Sequence, residues 1–314
     1  MTTRRMTLIG MGATFTVAAC SRAPTEQRNV IAAGQPAAVL IWAVARGRLA
    51  GWPRRLDPDC LTGLAAGAAD LPELGGLSGP GLMATTSSLS ALRPRLILDY
   101  GDTDPDVVAN GRAASEALGV PWAMIDGALH LIPAAFRQAG RLLDDHERGQ
   151  SLAEDAERII ADWRRHTAGP SFYYARGADG LQTGFRGALA TEVLEGAGWT
   201  NVAVGSSGDG VGRVAYEQVM DWDPEVLVTL SADFARAVRN DPHWRRRRDG
   251  SRRRLLLMPD RPFGWIDRPP SVNRLLGCAW MAQPSDRAST RLAMLSRRLY
   301  GMAPAEILMP KWLI

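Results

Sequence analysis

The chain has 314 residues, 46% hydrophobic and 22% charged, which suits about two globular domains at ~150 residues each, with enough apolar content to bury a core. Its formal net charge is +4, and loss of Arg4 and Arg5 with a leader would leave +2, so charge gives no reason to expect a nucleic-acid partner. Lys311 is the only lysine, which excludes a Walker A loop and an interior Schiff-base lysine, and no later stretch is long and apolar enough to span a bilayer.

The first residues read as an export signal. Arg4 and Arg5 form a positive n-region, Met6 to Ala19 an apolar h-region, and the small residues Val17, Ala18 and Ala19 lead directly to Cys20. That order resembles the bacterial lipobox, in which Cys20 would be lipidated and become the new N-terminus; an ordinary signal with an incidental cysteine is the alternative. Several acyl chains anchor firmly where one anchors marginally. Thr3, Arg4 and Arg5 also resemble a twin-arginine signal, although Thr7 stands where an apolar residue is usual, so Sec and Tat export both stay open. The expected boundaries are a signal over 1–19 and a lipidated cysteine with a polar tether over 20–29.

Short apolar strands then alternate with amphipathic helices. Asn29 to Ala33 reads as a strand, Gly34-Gln35-Pro36 as a turn, and Ala37 to Ala45 as a helix with Pro36 in its first turn. Arg48 to Gly51 resumes as a brief strand, and Leu61 to Gly81 is a Gly/Ala-rich loop. Strands follow at Arg95–Tyr100 and Trp122–Ile125, helices at Ser87–Leu92, Asp106–Leu118 and Pro133–Leu143. From His146 to His166 the apolar residues Leu152, Ala156, Ile159, Ile160 and Trp163 recur at spacings of three and four, which predicts one long helix with a charged outer face. The second half repeats the scheme, with strands at Ser171–Ala175, Val226–Leu230 and Leu255–Met258. Its helices are expected at Leu189–Ala197, Tyr216–Met220, Ala232–Arg239, Ser271–Met281 and Ser285–Leu299. The fold class is therefore α/β: two Rossmann-like lobes over 30–145 and 169–314, joined by a single long helix over 146–168, with a ligand cleft between them.

Four stretches resemble the periplasmic binding proteins that serve ABC importers of ferric siderophores, haem, cobalamin and related metal species. They are Val30–Trp52 (VIAAGQPAAVLIWAVARGRLAGW), Ala190–Leu194 (ATEVL), Gln218–Leu227 (QVMDWDPEVL) and the long interlobe helix. Tyr173–Gly184 and Pro262–Gly277 resemble members described as iron, or molybdate and tungstate, binding proteins. The resemblance covers nearly all of the mature chain. It implies a monomeric, non-enzymatic lipoprotein of the periplasm, without a cofactor, that captures a metal complex, foremost an iron chelate of the siderophore type, for a permease and its ATPase. It also implies that Glu192 docks on a permease arginine. The chain departs from the family at the first-lobe docking position, where Ser87 replaces the usual glutamate, and at Arg95, where Asp is usual.

Loops at strand ends should line the cleft, which nominates Gln35, Pro36, Tyr100, Asp102, Tyr174, Arg176 and Trp265. Neighbouring glycines allow close backbone approach, Arg176 offers a planar fork to carboxylates or oxyanions, and the aromatic rings supply flat area with a polar handle; the alternatives are that Tyr100 and Trp265 simply cap the two cores and that Arg176 is a surface residue. Such a set suits an anionic chelate better than a bare cation. Because Tyr173 and Tyr174 alternate across a strand, only one can face a ligand. His130, His146, His166 and His243 are scattered, and no Cys/His cluster suggests a metal site. Cys60 and Cys278 lie too far apart in sequence to make a disulfide framework, and Cys278 reads as a buried apolar residue. The arginine run at 245–248 and 252–254 reads as a solvated loop around an Asp249-Gly250 turn. No GxSxG elbow, HExxH or Cys–His arrangement supports an enzyme; a periplasmic metal chaperone or hydrolase is the alternative class.

Overall fold

The computed structural model describes residues 28–77, 83–165, 168–205, 210–282, 288–302 and 309–313, so the export signal, Cys20 and most of the tether lie outside the described residues. The first lobe is built on three parallel strands, β1 (Val30–Ala32), β2 (Leu96–Gly101) and β3 (Trp122–Asp126), in that order across the sheet. Ile31 sits beside Ile97, and Ile97 beside Trp122. Strands β1 and β2 are buried along their whole length, as apolar runs are when both faces of a parallel sheet are covered.

One face carries α1 (Gln35–Ala45), in which Pro36 occupies the first turn and every residue from Ala37 to Val44 is buried. A helix apolar on all sides belongs inside a core. The β1–β2 connection holds the short helices α2 (Pro58–Leu61) and α3 (Thr86–Ser90); α4 (Pro105–Leu118) and α5 (Ile132–Leu142) flank β3. The predicted strand at Arg48–Gly51 is instead a 3-10 turn, Arg46–Arg48, followed by a single bridge from Leu49 to Val30.

The long helix is α6 (His146–Trp163), capped where Asp145 accepts from the Arg148 amide. Its apolar stripe, Leu152, Ala153, Ala156, Ile159, Ile160 and Trp163, is buried. Gly140 on α5 and Gly149 on α6 let the two backbones touch: a Cβ on Gly149 would stand 2.6 Å from the Phe136 carbonyl oxygen.

The second lobe has β4 (Ser171–Tyr174), β6 (Thr200–Asn201), β8 (Val226–Thr229), β9 (Arg254–Leu257) and β10 (Lys311–Trp312). They form one sheet in the order β10-β9-β8-β4-β6, parallel except for β10, which pairs antiparallel with β9. A separate antiparallel pair, β5 (Gln182–Gly184) and β7 (Val211–Arg213), was not anticipated. Helices α7 (Glu192–Glu195), α8 (Tyr216–Trp222), α9 (Ala232–Asn240), α10 (Pro242–Arg245), α11 (Arg274–Ala282) and α12 (Ala288–Tyr300) complete the lobe. The helix expected over Leu189–Ala197 is reduced to α7, which ends at Gly196, where the Trp163 ring fills the space a side chain would need. The arginine run is not wholly solvated: Arg253 is buried and bonds to Asp223 (2.8 Å) and to the Pro224 and Trp244 carbonyls. Among the described residues, no helix is long and apolar enough to cross a membrane.

A single hydrophobic cluster runs from Val30 and α1 through α5 and α6 to α11, α12 and the inner face of the second sheet, where Phe172, Tyr174, Val226 and Val228 point. Smaller clusters cover the outer face of each sheet, one around Tyr173, Leu227, Phe234 and Leu255, the other around Ile31, Leu89 and Ile97. The molecule is thus a two-lobed α/β fold whose lobes rest on one common core.

Candidate functional site

The strand ends of both lobes meet at a cleft with two connected chambers. One, of about 710 Å³, is lined by Gly34, Gln35 and Pro36 at the start of α1, Tyr100 and Asp102 after β2, and Arg54 and Arg55. Its second-lobe wall is the segment from Asp260 to Pro270. The other, of about 1190 Å³, lies between Asp102, Asp104 and Asp126 and the β5–β7 pair, with Phe185, Val204 and Val211 as apolar lining. Gly101, Asp102, Arg176, Leu189, Asp267 and Pro270 line both chambers and form the waist between them.

The second-lobe wall reaches across to the first lobe. Arg261 pairs with Asp59, Pro262 packs on Gly63, and the Phe263 ring lies 6.2 Å from that of Trp52. The same segment has cis bonds at Arg261-Pro262 and Arg268-Pro269, and Arg268 has a positive φ of 64°.

Charge at the waist is held by a buried carboxylate. Asp267, 1% exposed, accepts from the Tyr174 hydroxyl (3.1 Å) and lies 3.0 Å from Nε of Arg176. The guanidinium of Arg176 also stands 5.9 Å over the Tyr174 ring. Burial first, and the Asp267 charge second, push the Tyr174 phenol well above its ordinary pKa, so it remains a neutral donor. Burial likewise raises the Tyr100 phenol, against the opposing charge of Arg274, and raises the Asp99 carboxyl on the same wall. Arg54, Arg55 and Arg268 are exposed, and among the described residues their guanidinium groups have no carboxylate or hydrogen-bond partner.

Of the residues nominated from the sequence, Gln35, Pro36, Tyr100, Asp102 and Arg176 line the cleft. Two expectations are corrected. Tyr174 stands behind Arg176, fully buried, with its hydroxyl on Asp267 rather than toward a ligand. Trp265 is 2% exposed and belongs to the common core, because the chain turns inward between Phe263 and Ile266. Glu192, expected to meet a permease arginine, is partly exposed, and its Oε2 accepts from the Leu129 amide (3.0 Å) and from Arg274 (2.6 Å). His130 lines a shallow groove with Arg137 and Glu157, apart from the cleft, and His166 lies outside the described residues. Cys60, on the wall of the smaller chamber, and buried Cys278 are both free thiols, and burial raises both pKa values. Among the described residues, no three His, Cys, Asp or Glu side chains gather as a metal site.

Nothing in the sequence marked Arg54, Arg55, Arg268 or Asp267 as cleft residues. The last two fall inside the quoted Pro262–Gly277 stretch, where an acid–base pair next to two prolines was the available signal.

No family model and no curated protein sequence matches the chain. Solved structures do. The chain is similar to an ABC transporter solute binding protein from Sulfurospirillum deleyianum, with a TM-score of 0.73 and 23% identity over 89% of this chain and 92% of that one. It is similar to the periplasmic vitamin B12 binding protein of Vibrio cholerae, with a TM-score of 0.60 and 18% identity over 86% and 98%. It is also similar to the molybdate periplasmic binding protein of Haemophilus influenzae, with a TM-score of 0.64 and 16% identity over 92% and 96%. At these identities the likeness is one of fold: the chain has the two-lobed architecture of ABC-transporter periplasmic solute-binding proteins.

Proposed function

We propose that this chain is the solute-binding component of an ABC importer and that it captures an anionic metal complex, foremost an iron chelate of the siderophore type, in the interlobe cleft. The observation that carries the reading is the set of three guanidinium groups, Arg54, Arg55 and Arg268, unpartnered among the described residues, on the wall of a chamber whose remaining arginines are tied down. Unpaired cations around a concavity attract an anion, and the low-dielectric walls strengthen that attraction. Size argues for a bulky ligand. Chambers of about 710 and 1190 Å³ fall in or above the range of roughly 300–1,000 Å³ typical of small-molecule sites, so a lone oxyanion would leave most of the space unfilled. The ligand brings its own metal coordination, since no protein ligand set gathers among the described residues. It is bound and released unchanged. Export to the periplasm and lipidation at Cys20 complete the proposal, resting on the Val17-Ala18-Ala19-Cys20 order.

Calorimetric titration with ferric hydroxamate and catecholate chelates, haem, cobalamin and molybdate tests it. A ferric chelate is expected to bind, and Arg268→Ala to weaken that binding roughly ten- to a hundredfold, from a charge-assisted bond worth ~1.5–3 kcal/mol. Binding of molybdate alone, or unaltered affinity in Arg268→Ala, would sink the ligand assignment.

A further inference from the structure

We infer that Arg274 and Glu192 form a clasp beneath the cleft that fixes the separation of its two walls, with Arg274 as the positioning residue. Arg274 opens α11, is completely buried, and lines neither chamber. Its fork has acceptors on several sides. Nε donates to the Ser271 carbonyl (3.1 Å), Nη1 to the Leu189 carbonyl (3.0 Å) and to Glu192 Oε2 (2.6 Å), and Nη2 to the Gly127 carbonyl. Gly127 is in the first lobe and the other three are in the second.

Two more bonds cross the same boundary beside it. Glu192 Oε2 accepts from the Leu129 amide of the first lobe, and the Ser271 hydroxyl donates to the Pro36 carbonyl (2.7 Å) at the start of α1. Two of the three crossings end on or next to the cleft wall: Pro36 lines the smaller chamber, and Asp126, the neighbour of Gly127, lines the larger; Leu189, held by the same guanidinium, lines both. The Gly127 position is itself fixed by close approach, since a Cβ there would stand 2.6 Å from the Gly101 Cα.

The common hydrophobic core holds the lobes together but sets no register between them, because apolar burial is non-directional. Hydrogen bonds are directional, and a planar guanidinium fork serving four acceptors can satisfy them all in only one arrangement of the two lobes. A buried ion pair contributes little to net stability compared with apolar replacements, so geometry is the role that explains keeping one here.

The test is a distance measurement in the full chain, which needs no ligand and so stands or falls apart from the ligand proposal. Spin labels at Glu116→Cys and Glu217→Cys, exposed sites on α4 and α8, report the interlobe distance in a Cys20→Ala, Cys60→Ser background. Arg274→Met is expected to broaden and shift the distribution. The double variant Arg274→Met/Glu192→Leu removes both charges, keeps the chain folded where the single variant fails to fold, and is expected to broaden it as well. In the double variant the Leu129 amide should lose hydrogen-exchange protection while that of Val228, in the second-lobe sheet, keeps it. A distribution identical to the unmodified chain in the double variant, or equal loss of protection at Leu129 and Val228, would overturn the clasp.

Discussion

The common core and the cleft rim are built from opposite materials. Where α1, α6 and α11 face the core their buried side chains are almost all apolar, and at Gly140 and Gly149 the backbones of α5 and α6 come into direct contact. The rim of the cleft is irregular loop carrying Arg54, Arg55 and Arg268, exposed and, among the described residues, unpaired, together with the two proline-cornered turns of the 260–270 segment. The contrast separates two tasks. Stability resides in the core and lobe placement in the clasp beneath the cleft, whereas the rim side chains proposed to choose the ligand can change without disturbing either.

The core side of the contrast breaks most visibly at Trp163. Its indole donates to the Val193 carbonyl (3.0 Å), and its ring fills the space over Gly196 at the junction of α6 with the second lobe. Trp163→Ala is expected to lower unfolding free energy by ~3–5 kcal/mol in a urea titration. Two separated transitions, with one lobe unaffected, would mean that the lobes do not share a core after all.

A smaller loss is expected at Gly149. Alanine there gains about 1 kcal/mol of helix propensity, but its Cβ would meet the Phe136 carbonyl oxygen at 2.6 Å and the Gly140 Cα at 2.8 Å, both of them backbone. Overpacking should win, with a net loss of about 1–3 kcal/mol. A thermal shift upward would show that α5 and α6 can part without cost.

The rim should respond least in stability. Arg54→Ala/Arg55→Ala is expected to leave unfolding free energy within ~0.5 kcal/mol, since neither guanidinium has a partner to lose among the described residues. The same variant should slow ligand association at low salt and flatten its salt dependence, read by stopped-flow fluorescence. A marked drop in melting temperature would instead make these arginines part of the fold.

The core was legible in the sequence because its elements carry plain apolar patterns. The three- and four-residue spacing from Leu152 to Trp163 specifies a helix with one buried face, and the apolar runs at Val30 and Leu96 specify strands covered on both faces. Five cleft residues were legible for a related reason: Gln35, Pro36, Tyr100, Asp102 and Arg176 sit in or beside Gly-containing turns at strand ends, where this architecture places its opening. Burial of Trp265 was not legible, because a turn-rich stretch does not announce which way it folds; Tyr174 ends β4, and alternation along a strand does not say whether its last side chain turns to the core or to the cleft. The β5–β7 pair escaped for want of length; each strand has three residues and no alternation. Arg274 did leave a signal. A single charge opening the apolar run Leu275-Leu276-Gly277-Cys278-Ala279-Trp280 must either face water or find full compensation inside, and it finds the latter.

Of the 37 lysine and arginine residues, the one lysine stands exposed on β10, at the antiparallel edge of the second sheet and outside the lining of both chambers. Amine-directed chemistry therefore has one side-chain target in the whole protein. A dye or surface tether attached through Lys311 would present every molecule in the same orientation, with the arginine-rimmed opening unmodified.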